Sequence, residues 1–327
     1  MGVIGNFPFK AGISFPADAK AVLYDATSPK KPIVGKGVEG VPAEVWKFLG
    51  NNGVVQGVAV DIQGNVYSGS NDKTVRKINS SGSQVWSFTG NTDWVFSVAV
   101  DLRENVYSAG DDRTVRKING SGNQVWSFSK HTGNVRAVAV DTQGNVYSGG
   151  NDKTIRKINS SGVQVWSFTG STNFVNGVAV DIQGNVYSGS DDKTVRKINS
   201  SGSQVWSFSG HTGKVNGVAV DLQGNVYSGS SDGTVRKLNS SGNQVWSFTG
   251  NTDTVKSVAV DLQGNVYSGS ANNPVRKINS SGSQVWAFVG HQIWTNGVAV
   301  DTRGNVYSGG EDKIVRKIWD GYIIHTA

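Results

Sequence analysis

The chain has no cysteine and one methionine among its 327 residues. Disulfide staples, thiolate metal sites and thiol catalysis are thereby excluded. The absence is compatible with a reducing compartment without demanding one. Charged residues are sparse, at 17%, and no apolar run approaches the roughly 18 residues that a membrane-crossing helix requires. No segment shows the 3.6-residue periodicity of an amphipathic helix. The opening residues MGVIGNFPFK lack the basic start and apolar core of a secretory signal, and Asn6 stands where N-myristoylation calls for Ser or Thr. The expected setting is therefore cytoplasmic or part of an exported particle, without membrane insertion. Proline is scarce and unevenly placed: five of the six fall in the first 43 residues, at Pro8, Pro16, Pro29, Pro32 and Pro42. Glycine is plentiful, with 43 spread along the chain, as suits an all-β protein with many turns.

That abundance has a period. VAVD begins at Val58, Val98, Val138, Val178, Val218, Val258 and Val298, always 40 residues apart. Trp46, Trp86, Trp126, Trp166, Trp206, Trp246 and Trp286 keep the same spacing. Each unit holds four short runs, exemplified by VAV (58–60), NVYSG (65–69), TVRKI (74–78) and QVWSF (84–88). The runs are rich in β-branched or aromatic residues and are bounded by Gly, Asn, Asp or Ser. Four-strand units near 40 residues predict propeller blades. Seven units predict an all-β, seven-bladed β-propeller with four antiparallel strands per blade.

The ends indicate how the ring closes. The seventh unit (298–318) lacks its own QVWSF, and the missing strand stands near the start as EVWKF (44–48). An N-terminal strand is thus expected to close the ring. This divides the chain into an arm (1–43), a propeller (44–320) and a short tail (321–327). Burying Trp46 and Phe48 would return on the order of 2–3 kcal/mol each. The arm carries one strand-like run, AVLYD (21–25), and is expected to attach the propeller to a partner protein or to another copy of the chain.

GVAVDLQGNVYS followed by TVRKINSSG resembles NHL repeats. GHTGKVNGVAV with SGSSDGTVRKL resembles WD repeats, and NQVWSF resembles the tryptophan-bearing strand of quinoprotein-type repeats. The resemblance covers residues 44–320 and implies the propeller architecture. It says little about function, since such folds serve many. The WD resemblance is incomplete. Its tryptophan position is Ile or Leu here, and its starting histidine survives only as His131, His211 and His291. Asn272 replaces the aspartate kept as Asp72, Asp112, Asp152, Asp192, Asp232 and Asp312. The His–Asp network of that family is expected to be partial.

The copies differ from one another in two places. The link into each new blade varies, from GNNGVVQG to GNTDWVFS and GHQIWTNG, and so does the turn between second and third strands, from SNDKT to SANNP. The other two turns hardly change. Antiparallel geometry puts both variable sets at one rim. Divergence confined to one rim points to blade-specific recognition; drift in solvated loops is the bland alternative. The candidate ligand-binding residues are Trp94, Phe96, Arg136, Phe174, Lys214, Lys256, Ile293 and Trp294. Large apolar and aromatic groups in polar loops are the informative ones among these.

Catalytic signatures are missing. There is no G-x-S-x-G, Walker or H-E-x-x-H string. His131, His211 and His291 lie too far apart in sequence for a metal site, so no metal and no cofactor is expected. The net charge of +7 is spread round the ring, because 14 of 31 basic residues are the repeated Arg-Lys pairs such as Arg76-Lys77. Nucleic acid is accordingly not the expected partner. The leading expectation is a non-enzymatic platform that binds a protein or glycan through the variable rim. A phage-tail or bacteriocin-like component, or a microbial lectin, would fit that plan. A purely structural subunit is the second reading, and a quinoprotein- or NHL-lyase-type enzyme the third.

Overall fold

The computed structural model describes residues 41–319, together with the backbone of two short strands, Lys20–Tyr24 and Pro32–Lys36. Every regular element among the described residues is a β-strand. Residues 41–319 form seven four-stranded antiparallel sheets. In the first blade the strands are Val55–Val60, Val66–Ser70, Val75–Ile78 and Gln84–Phe88, each paired with the next. The following sheets repeat that order at the spacing of the sequence repeat. First strands of neighbouring blades pack on each other all round, and Thr295–Val300 meets Val55–Val60 to complete the circle. They line the centre, and the fourth strands form the outer wall.

The seventh sheet takes its fourth strand from the start of the chain. Ala43–Phe48 pairs antiparallel with Val315–Trp319, setting Trp46 opposite Lys317 and Phe48 opposite Val315. Arg316 Nε adds an ion pair to Glu44 Oε2 at 3.0 Å. The expected closure is therefore present. Trp46 and Phe48 are half-buried, not sealed, because theirs is the outermost strand of its sheet, with no further strand beyond it. Each returns less than the full-burial figure.

The core lies between blades. Val55, Val58, Val66 and Ile78 of the first blade pack with Tyr307 and Val315 of the seventh. Tyr67 and Val75 of the first blade pack with Val95, Val98, Val106 and Ile118 of the second. Second strands are buried along their whole length, which is why they read as small or apolar residues without polar alternation.

The outer tryptophans latch each blade to the next. Trp46 Nε1 donates to Ser80 O at 3.0 Å, and Trp86 Nε1 to Gly120 O at 2.9 Å. Gly82, at φ +90°, sits under the Trp46 ring, where a Cβ would come within 3.0 Å of it. A side chain there would meet both a collision and an unfavourable backbone. The near-fixed NSSG turn follows from that requirement. Each outer strand also carries a bulge, as at Val85, which is the extra residue between the Lys77–Trp86 and Ile78–Gln84 pairs. Such a bulge blunts an open edge against sheet-to-sheet pairing.

The first four residues of the run AVLYD fall in the strand Lys20–Tyr24, which pairs with Pro32–Lys36 in a ladder separate from the blades. The rest of the arm, the tail and Asp320 lie outside the described residues, and the attachment role expected of residues 1–43 falls there too. Among the described residues no helix is long and apolar enough to cross a membrane.

Candidate functional site

The two variable segments of each blade are joined by one backbone hydrogen bond. Asn71 N donates to Val54 O at 2.9 Å, Asp111 N to Trp94 O at 2.9 Å, and Glu311 N to Trp294 O at 3.0 Å. The same bond recurs in the remaining blades. Link and turn therefore share one rim, as the strand geometry requires.

Beneath that rim lies a polar network. Asp72 accepts from Asn52 N at 2.9 Å and Thr74 N at 3.1 Å, and pairs with Arg76 at 2.8 Å. Equivalent Asp–Arg pairs stand in five other blades. The Arg-Lys pairs are thus blade structure: Arg76 and Lys77 are both buried, with Lys77 Nζ over the Tyr67 ring. In the sixth blade Arg276 meets Asn251 and Asn272 in place of a carboxylate, and burial pulls its pKa down.

His131 Nδ1 lies 2.9 Å from Asp152, and its Nε2 lies 2.8 Å from Ser148 Oγ. His211 and His291 repeat the arrangement with Asp232 and Ser228, and with Asp312 and Ser308. A carboxylate only accepts, so Nδ1 of His131 and of His211 carries the proton and Nε2 accepts from serine. The order Ser–His–Asp is that of an acyl-transfer triad. Yet Ser148, Ser228 and Ser308 are 0% exposed, so these hydroxyls face no substrate and instead staple link to sheet. Burial opposes ionisation of Asp152 and Asp232. Hydrogen bonds from His131 to Asp152, and from Thr234 and His211 to Asp232, outweigh it and hold both carboxyls well below the usual range. Burial also lowers the His211 pKa, against the pull of Asp232. In the fourth blade Ser171 replaces the histidine, and the buried hydroxyls of Ser171 and Ser188 have no partner.

The first strand of every blade carries a bulge. Val55 pairs with Ser70 and Gly57 with Gly69, leaving Gln56 as the extra residue. Its counterparts are Phe96, Arg136, Asn176, Asn216, Lys256 and Asn296. A bulge turns its extra side chain out of the ladder, so these variable residues ring the channel mouth. Several are tied to the adjacent turn. Gln56 Nε2 donates to Asn71 at 3.1 Å, Arg136 Nε to Asn151 at 2.9 Å, Asn176 Nδ2 to Asp191 at 2.7 Å and Asn216 Nδ2 to Ser231 at 3.1 Å.

All eight candidate residues fall on this rim, though not in one cluster. Trp94, 44% exposed, meets Phe96 edge-on at 6.4 Å. The Arg136 guanidinium lies 4.9 Å from the Phe96 ring centre. Across the ring, Lys256 Nζ stands 4.2 Å from the ring centre of Trp294, itself 40% exposed. Ile293 is exposed beside it. Phe174 is half-buried in the fourth blade. Lys214 is exposed and bound to Asp191 at 2.9 Å.

The opposite rim is built by Asx turns. Asp61 accepts from Gln63 N, Asn65 N, Asn65 Nδ2 and Tyr67 OH at 2.8–3.0 Å. Burial, then the Asp61 carboxylate, raises the Tyr67 pKa far above its ordinary value. Sequence reasoning missed one feature here. The turn tips expose Ile62, Leu102, Ile182, Leu222 and Leu262. The signal was the apolar residue after five of the seven turn aspartates, with Thr142 and Thr302 in the other two copies, hidden within a turn that otherwise hardly varies.

No group of three or more His, Asp or Glu able to hold a metal occurs among the described residues. A family model described as outer membrane protein assembly factor BamB matches residues 42–151 and again 151–286. That match agrees with the quinoprotein-type resemblance of the tryptophan strand. No curated protein matches the chain.

Proposed function

The chain belongs to the family of outer membrane protein assembly factor BamB, and from that premise we propose that it is a non-enzymatic recognition platform. The variable rim holds a partner, a protein in preference to a glycan, and residues 1–43 attach the platform to its assembly. The family's description as an assembly factor supports a protein partner. The observation that carries the reading is the bulge in each first strand. It delivers the variable side chain to the channel mouth while the hydrogen bonds of the same sheet stay constant. Rings exposed at such a mouth suit the aromatic anchors of an interface.

Retention of the full chain on peptide and glycan arrays tests this reading. Replacing both Trp94 and Trp294 with Ala should abolish retention on peptides. Exposed substitutions of this kind change stability by about 0.5 kcal/mol or less, so the melting temperature should hold. Retention unaffected by the pair would favour a structural subunit, and retention on glycans alone would reassign the ligand.

A further inference from the structure

Two cations at the channel mouth make no salt bridge among the described residues, although Glu311 and Asp253 act on Lys256 at longer range. Arg136 spends only Nε within the protein, on Asn151. Its two Nη groups make no hydrogen bond or ion pair among the described residues. Lys256 Nζ makes none either. Its bulge position faces Ala271, the one turn residue at this register without a polar side chain. The ammonium instead lies across the blade boundary on Trp294. Lys214, by contrast, is neutralised by Asp191.

Both free cations are half-buried and both are laid over an aromatic ring of the neighbouring blade. The ring fixes the cation and covers one side of it while leaving its donors free. Arg136 belongs to the third blade and Lys256 to the sixth, so they stand on opposite sides of the ring. Between them, on the fourth, fifth and seventh blades, stand Asn176, Asn216 and Asn296. Asn176 Nδ2 donates to Asp191 and Val215 O, and Asn216 Nδ2 to Ser231 and Val255 O. Asn296 Nδ2 donates to Val55 O. Carboxylate and backbone carbonyl groups only accept, so the Asn176 amide is fixed with Oδ1 as its unused acceptor. No bond to Oδ1 of Asn216 or Asn296 exists among the described residues either.

We propose that the channel mouth binds an acidic peptide segment. One carboxylate sits on the Nη groups of Arg136 and another on Lys256 Nζ, and peptide N–H groups are offered to the asparagine oxygens. The proposal rests on the rim reading above and names its ligand chemistry. Arg136 presents a planar fork suited to two-point carboxylate binding, and Lys256 a point charge. Burial lowers the Lys256 pKa, with Glu311 and Asp253 pulling the other way, so an arriving carboxylate meets an ammonium already stripped of part of its water.

The test is an array of dodecapeptides in which each Asp/Glu sequence is paired with its Asn/Gln counterpart, read with the full chain. The wild type should be retained by acidic members and not by their amide counterparts. Arg136→Gln and Lys256→Met should each lower retention at least tenfold. Lys47→Met, which removes the same charge from the outer wall, should leave retention unchanged. Equal retention of acidic and amide members would overturn the proposal. So would mouth variants that behave like Lys47→Met, or binding of polygalacturonate in place of every acidic peptide. If retention stays sensitive to Trp94 and Trp294 while charge makes no difference, the rim reading stands and only the ligand chemistry fails.

Discussion

The two rims of this ring are made from the same seven repeats, yet one is nearly invariant and the other is not. The invariant rim has little freedom. Each of its turn aspartates serves four donors, and each of its NSSG turns must leave room for a tryptophan ring. Its constancy is therefore explained by closure and latching, and would persist whether or not the other rim had a function. On the variable rim the same discipline applies to the Asp–Arg layer beneath the surface. Only positions such as 54, 56 and 71, and their counterparts, escape it. Variation by itself is a weak argument for function. Variation placed by a bulge at a channel mouth, and including unpaired cations on aromatic rings, is a stronger one.

The contrast can be broken in graded ways. The largest effect should come from deleting residues 1–50, which removes the strand Ala43–Phe48 and leaves the edge of Val315–Trp319 open. Open edges recruit other chains, so size-exclusion chromatography should show a shift to larger aggregates than the wild type forms. Next is Asp221→Ala on the invariant rim. It strands the buried Tyr227 hydroxyl and three further donors. Unmet buried donors of this kind should cost about 3 kcal/mol by urea denaturation, several times the effect of Trp94→Ala on the variable rim.

Acid should act on the layer beneath the variable rim. The folded-state pKa of His211 lies below its ordinary 6.5. Those of Asp72, Asp192 and Asp312 lie below 3.8. Both kinds of group bind fewer protons folded than unfolded, so stability rises with pH. Thermal unfolding should be flat above neutrality, soften below about 6.5 and fall steeply below 3.8. His211→Asn should remove the first phase alone. The smallest effect is a gain. Ser171→His would rebuild in the fourth blade the staple seen in the third, giving Ser188 a partner. It should add about 1 kcal/mol, a typical return for one hydrogen bond.

Most of the architecture was legible because the repeat leaves few options. The spacing of Trp46 to Trp286 set blade number and closure, and the structure places Trp46 opposite Lys317 as that spacing requires. The candidate residues were legible as a rim but not as groups. No sequence rule marks residue 56 of each unit as a bulge, since the extra residue shows only when Val55 and Gly57 are seen to face consecutive residues. Nor could spacing reveal that Lys256 reaches Trp294 in the next blade, because that contact depends on Ala271 offering no acceptor. The exposed aliphatic tips such as Leu222 were overlooked because the turn around them is nearly constant, although Thr142 and Thr302 replace them in two copies.

The most direct measurement levels the mouth while leaving the ring intact. Phe96→Asn, Arg136→Asn and Lys256→Asn together would give three more blades the residue that the fifth carries as Asn216. This variant should melt within a few degrees of the wild type, because the fourth, fifth and seventh blades already carry asparagine there as Asn176, Asn216 and Asn296, and should lose retention on acidic peptides. Undiminished retention by the levelled variant would contradict it.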